Sequence, residues 1–161
     1  MKPTVYIETT IIGYLAMRMS GVLRTAANQQ TTRDWWDNHR DKYYVLVSRF
    51  VVEECCEGDP AAAQERQTYL SGLPVLDLGS EVKALADALL AGVPLPEKAT
   101  VDAFHNSVAA VNGVEYLLTW NCKHIANPAL RPRIERICRD MGYEPPAICT
   151  PPELMEMDDV P

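Results

Sequence analysis

Three observations predict an α/β fold built on a mainly parallel sheet. Short apolar runs of strand type alternate with amphipathic helical stretches along the whole chain. Gly, Pro, Ser and Asp mark the joins, and no internal repeat, low-complexity segment or interdomain linker interrupts the alternation. At 161 residues, 47% hydrophobic and 23% charged, the chain suits one domain with its own core and is too apolar for disorder.

Val5-Tyr6-Ile7 reads as the first strand, with polar Glu8-Thr9-Thr10 leading into a helix that carries Ile11, Ile12, Tyr14 and Leu15. Residues 24–42 look helical but polar, with Trp35 and Trp36 adjacent. Neighbouring side chains on a helix point about 100° apart, so one indole is expected in the core and the other elsewhere. The stretch is expected to be an insertion over the domain or a dimer contact, not a base-stacking platform. Residues 43–48 form the second strand, and a helix bearing Phe50, Val51, Val52, Glu53 and Glu54 follows.

In Gly58-Asp59-Pro60 the glycine closes one helix, the aspartate caps the next and the proline takes its first position. That next helix covers 60–71, and residues 74–78 give a third strand. Ser80 is the expected N-cap of a helix through Leu90, ending near Gly92. After Pro94 and Pro96 a helix runs to Asn112-Gly113, then residues 116–119 form the fourth strand. A helix over 128–141 and a short fifth strand at 147–150 complete a domain of residues 1–150. The acidic tail, 151–161, is expected to fray after one helical turn.

No apolar run approaches the ~18 residues of a membrane span, and Met1-Lys2-Pro3 shows no signal-peptide pattern. A soluble cytoplasmic protein is the expectation. The five cysteines form no C-x-x-C pair, which argues against a zinc site and for buried free thiols. A net charge of −7 would usually oppose a phosphate-backbone binder. The charge is uneven, however. Residues 18–49 hold six Lys/Arg against three Asp, and residues 123–139 hold five against Glu135 alone. The remainder has four basic groups against 18 acidic ones, so the acids need a purpose.

Ligands of open α/β sheets gather at the carboxyl ends of the strands, beside the point where strand order reverses. Glu8 directly follows the first strand, Glu54 lies six residues after Ser48, Asp102 starts the helix before strand four, and Asn121 follows that strand. Three carboxylates and an amide can therefore share one region.

In this order the motifs resemble the PIN domain, a metal-dependent ribonuclease fold typified by VapC toxins of toxin–antitoxin pairs. Val5-Tyr6-Ile7-Glu8-Thr9-Thr10 is similar to the family's opening strand and acid, usually D-T-N or D-T-S. Ser48 to Glu54 is similar to its second block, in which the last Glu is the site acid. Val101-Asp102-Ala103-Phe104-His105 resembles the D-A-x-H block. Tyr116 to Asn121 resembles the strand ending in T-x-D or, in one subgroup, T-W-N.

The resemblance covers nearly the whole chain and implies a three-layer α/β/α domain with a five-stranded sheet. It implies Mg²⁺- or Mn²⁺-dependent cleavage of RNA, with Glu8, Glu54 and Asp102 as metal ligands and Asn121 as a neutral fourth member. A homodimer and an antitoxin partner are implied as well. Glu8 departs from the usual Asp, and its extra methylene moves the carboxylate by about 1.5 Å. Magnesium tolerates about 0.2 Å in its oxygen distances, so the backbone must sit back or Glu8 must fold its side chain.

One Mg²⁺ against three carboxylates leaves a single negative charge, so one resident ion is expected, with any second arriving with RNA. His105 shares a helix face with Asp102 and is expected to support or pack. His124 and Asn127 either contact substrate or order their loop. Arg131, with Arg133, Arg136 and Arg139, lies where phosphates would approach. The alternative is a degenerate module that holds RNA or a protein partner without cutting it. A small-molecule phosphohydrolase is weaker still, and no Gly-rich phosphate loop supports nucleotide binding.

Overall fold

The computed structural model describes residues 1–96 and 99–157. Five parallel strands lie in the order β3-β2-β1-β4-β5: β1 (Thr4–Ile7), β2 (Tyr44–Ser48), β3 (Val75–Leu76), β4 (Tyr116–Leu118) and β5 (Ala147–Cys149). Helices α1 (Thr9–Ala16), α2 (Leu23–Asp34), α3 (Arg49–Cys56) and α4 (Pro60–Leu70) pack on one another, while α5 (Ser80–Gly92) packs on α6 (Thr100–Val111) and α7 (Arg131–Asp140). The two groups enclose the sheet. That is why Val5, Tyr6 and Ile7 are all buried: a central parallel strand is covered on both faces and cannot alternate.

Most joins follow the expected chemistry. Gly58 takes φ 84°, a left-handed turn that glycine enters without penalty, and Asp59 then accepts from Ala62 N at 2.9 Å with Pro60 at the first helical position. Two joins shift. Gly79, not Ser80, is the N-cap of α5, with Ser80 its first residue, and α6 begins at Thr100. The expected start of α6 after Pro96 falls partly on residues 97–98, outside the described residues.

The Trp pair departs from expectation, because Trp35 and Trp36 are both buried. The chain between α2 and β2 passes through a π-helical turn, Trp35–His39, in which Arg40 N–H reaches Trp35 O. That wider turn brings successive side chains closer in direction than the α-helical 100°. Trp35 packs on Tyr43, and Trp36 meets Tyr69 edge-on with the Arg40 guanidinium 4.4 Å above its ring. Truncating Trp35 to Ala would cost about 3–5 kcal/mol.

The segment after β5 also departs from expectation. Residues Pro151–Met157 form α8 instead of fraying. Glu153 reaches back to accept from Thr150 N (2.7 Å) and Thr150 Oγ1 (2.9 Å), and Leu154 is wholly buried in the core. Residues 158–161 lie outside the described ones. All five cysteines are free. Burial pushes the Cys55 and Cys149 thiols up to about 12 and Cys138 up to about 11, so these three remain protonated packing groups. Among the described residues no helix is long and apolar enough to cross a membrane.

Candidate active site

Strand order reverses between β1 and β4, and the candidate residues stand at the carboxyl ends of those strands. Glu8 follows β1 immediately. Its backbone N–H donates to Leu118 O at 3.0 Å, which extends the pairing with β4 by one residue. Its side chain is buried, and Oε2 accepts from Thr10 N (3.1 Å), Thr10 Oγ1 (2.5 Å) and Thr119 Oγ1 (2.8 Å). Glu8 thereby caps α1 while its carboxylate remains at the sheet's end.

Glu54 projects from α3, which Ser48 caps by accepting from Val51 N. Glu54 Oε1 accepts from Thr9 Oγ1 at 2.6 Å and from His105 Nε2 at 2.9 Å. Burial alone would raise this carboxyl's pKa. The hydrogen bonds from His105 and Thr9, with the field of the imidazole, outweigh burial and hold it below the usual value. Its neighbour Glu53 is exposed. The same His105 Nε2 lies 4.0 Å from Glu8 Oε1, so one fully buried ring faces both glutamates.

Asp102 stands in the first turn of α6, where the helix dipole favours an acid. Its Oδ1 accepts from Asn121 Nδ2 at 3.0 Å and its Oδ2 from His124 Nδ1 at 2.9 Å. Asn121 also accepts from His124 N (3.0 Å) and donates its own N–H to Thr119 Oγ1 (2.9 Å). Glu54, His105, Glu8, Thr119, Asn121, Asp102 and His124 thus form one run of neighbouring polar groups.

Asn127 and Arg131 bond to groups outside this run. Asn127 orders its loop, donating to Lys123 O and accepting from Ala129 N, both at 2.9 Å. Arg131 donates to Ala126 O at 3.3 Å and lies 3.7 Å from Glu153 of α8, so it faces α8 and not the carboxylates.

The polar stretch over α2 has a structural part here. Thr32, buried on α2, accepts from Trp120 Nε1 at 2.7 Å, and Trp120 N–H donates to Thr10 Oγ1 at 2.9 Å. One residue escaped sequence reasoning. Tyr6, wholly buried, lies 2.7 Å from Ser48 Oγ and 2.6 Å from His105 Nδ1. Strand period was the available signal, because Tyr6 is two residues before Glu8 and shares its side of the strand.

Among the described residues, no three His, Cys, Asp or Glu side chains are grouped as a metal site. Glu8, Glu54 and Asp102 are linked through His105, Thr119 and Asn121. The donor chemistry does fit a hard divalent ion. The site offers carboxylate and amide oxygens, and among the described residues Glu8 Oε1 and Glu54 Oε2 accept no hydrogen bond.

No protein-family model and no curated protein matches the sequence. Solved structures do match the fold. VapC20 of Mycobacterium tuberculosis, a toxin that cleaves the sarcin–ricin loop, superposes with a TM-score of 0.60 at 18% identity, over 78% of this chain and 95% of that one. VapBC2 from Rickettsia felis, bound to a DNA fragment from their promoter, matches with a TM-score of 0.53 at 13% identity, over 91% of this chain and 98% of that one. At such identities the likeness is one of fold: five parallel strands between helices, in the α/β/α arrangement of VapC toxins.

Proposed function

We propose that this protein is a metal-dependent endoribonuclease, the cytoplasmic toxin of a toxin–antitoxin pair, acting as a homodimer on RNA. The observation that carries the reading is the meeting of Glu8, Glu54, Asp102 and Asn121 in one polar run at the switch point of a VapC-type sheet. Glu8, Glu54 and Asp102 would hold Mg²⁺ or Mn²⁺, with Asn121 as the uncharged member. A bound divalent ion polarises the phosphoryl oxygens, readies a water and stabilises the leaving oxygen.

The chain's own groups prepare for that chemistry. Thr10 and Thr119 fix one oxygen of Glu8, Thr9 and His105 fix one oxygen of Glu54, and Asn121 and His124 hold both oxygens of Asp102. Met17, Met19, Val22 and Leu23, exposed at and after the end of α1, supply an apolar stretch for a protein partner.

RNA cleavage in Mn²⁺ and in EDTA tests the reading. Cleavage in Mn²⁺ that stops in EDTA is expected, and equal cleavage in EDTA would end the metal assignment. The alternative, a PIN-like module that binds without cutting, is separated by thermal denaturation. An ion held by the native state raises the melting temperature, and no shift at millimolar Mn²⁺ favours the alternative.

A further inference from the structure

Behind the carboxylates, three wholly buried polar side chains from three elements form a second set of contacts. They are Tyr6 on β1, Ser48 at the end of β2 and His105 on α6. The Tyr6 and His105 rings lie 5.8 Å apart, and Phe50 meets the imidazole edge-on at 6.4 Å, so the ring is walled on two sides.

The hydrogens of this set follow from counting donors and acceptors. A carboxylate only accepts, so the 2.9 Å contact with Glu54 requires a hydrogen on His105 Nε2. In a neutral ring Nδ1 is then a lone pair, and the group within reach is Tyr6 Oη at 2.6 Å. If Tyr6 gives its hydrogen to Nδ1, Ser48 gives its own to Tyr6 Oη, and Ser48 Oγ takes the N–H of Val51. Every group in the row is then satisfied, from the α3 backbone to Glu54. Reversing the direction leaves the Ser48 hydroxyl hydrogen without an acceptor.

We propose that Tyr6 is a positioning residue of the site: its hydroxyl locks His105 with the hydrogen on Nε2, and that N–H holds the Glu54 carboxylate in place toward Glu8. The Tyr6 hydroxyl bonds to Ser48 and His105 and to neither glutamate, so it acts through the ring. The inference has two parts. The tautomer stands on the geometry alone, while its effect on metal binding rests on the proposed function. Outer partners of this kind typically govern metal affinity by about 10–100-fold.

The experiment is ¹⁵N NMR of the histidine ring nitrogens in metal-free protein at about pH 8, with Mn²⁺ affinity measured by calorimetry. His105 is expected to carry its hydrogen on Nε2 alone in the native sequence. Tyr6→Phe is expected to lose that single pattern and to bind Mn²⁺ about 10–100-fold more weakly, with the far-UV spectrum unchanged. A ring hydrogen on Nδ1, or on both nitrogens, in the unsubstituted protein overturns the proposal whether or not the variant folds. So does a Tyr6→Phe variant with unaltered ring signals and Mn²⁺ affinity. A correct tautomer in a protein that never cuts RNA would instead count against the proposed function and leave the positioning role standing.

Discussion

Glu54 and Asp102 stand at the same end of one sheet, yet they are supported differently. Glu54 is backed by His105, Tyr6 and Ser48, all buried and all on or directly beside sheet strands and packed helices. Asp102 is backed by Asn121 and His124, which belong to the turns after β4. The His124 side chain keeps 15% exposure where that of His105 keeps 1%, although Asp102 itself, at 17%, is less exposed than Glu54 at 33%. The first half is held by the core and the second by a loop. A site built this way keeps one wall fixed and leaves adjustment to the other, since loops open at lower free energy than core elements.

Four measurements bear on that contrast. Asp102→Asn removes a charge that both loop partners address, and RNA cleavage in Mn²⁺ is expected to fall by more than about 100-fold, beyond the loss of an outer partner. Its urea midpoint is expected to stay near that of the unsubstituted protein, and retained activity would remove Asp102 from the site. Next in size is the contrast between the two histidines. His105→Ala strands the buried Tyr6 hydroxyl hydrogen and takes a donor from Glu54, and should lower stability by about 2–3 kcal/mol, whereas His124→Ala should cost less than about 1 kcal/mol. Equal losses in urea denaturation would erase the distinction.

Asn121→Asp is expected to have a smaller effect. It exchanges a donor 3.0 Å from Asp102 for a like charge, and about 1 kcal/mol should disappear in EDTA and return with Mn²⁺. The smallest effect is a pH dependence. The Glu54 carboxyl is held below its usual value of 4.5, so its stabilising contribution is complete above that pH and is lost as pH falls through the lower folded value. In EDTA, the unsubstituted protein should therefore lose stability more steeply than Glu54→Gln below about pH 4.5. Parallel curves would show that the bonds from Thr9 and His105 do not favour the charged form.

The sequence made the strands plain because 5–7, 44–48 and 116–118 are apolar runs too short for helices, each followed at once by a polar residue, Glu8, Arg49 and Thr119. It could not reveal the π-helical turn, whose extra width depends on how Trp35 and Trp36 find Tyr43 and Tyr69. Nor could it reveal α8, because an acidic stretch gives no sign that Leu154 reaches the core. In the site, the acids were legible from their places after strands. The supporting place of His105 was legible too, but its pairings were not: it meets Glu54 across 51 positions and Tyr6 across 99, which no local pattern encodes.

The central place of β1 carries a consequence in time. It is the first strand in the chain, yet it pairs with β4, and Thr119 reaches Glu8 across 111 positions. Closing so long a span comes before the contacts that reward it, and folds of this connectivity form slowly. At about 5–20 residues per second, a nascent chain holds Glu8 for on the order of 10 s before Thr119 exists. During that interval the chain can shape α1 but cannot assemble the acidic centre, which waits for β4 and Thr119.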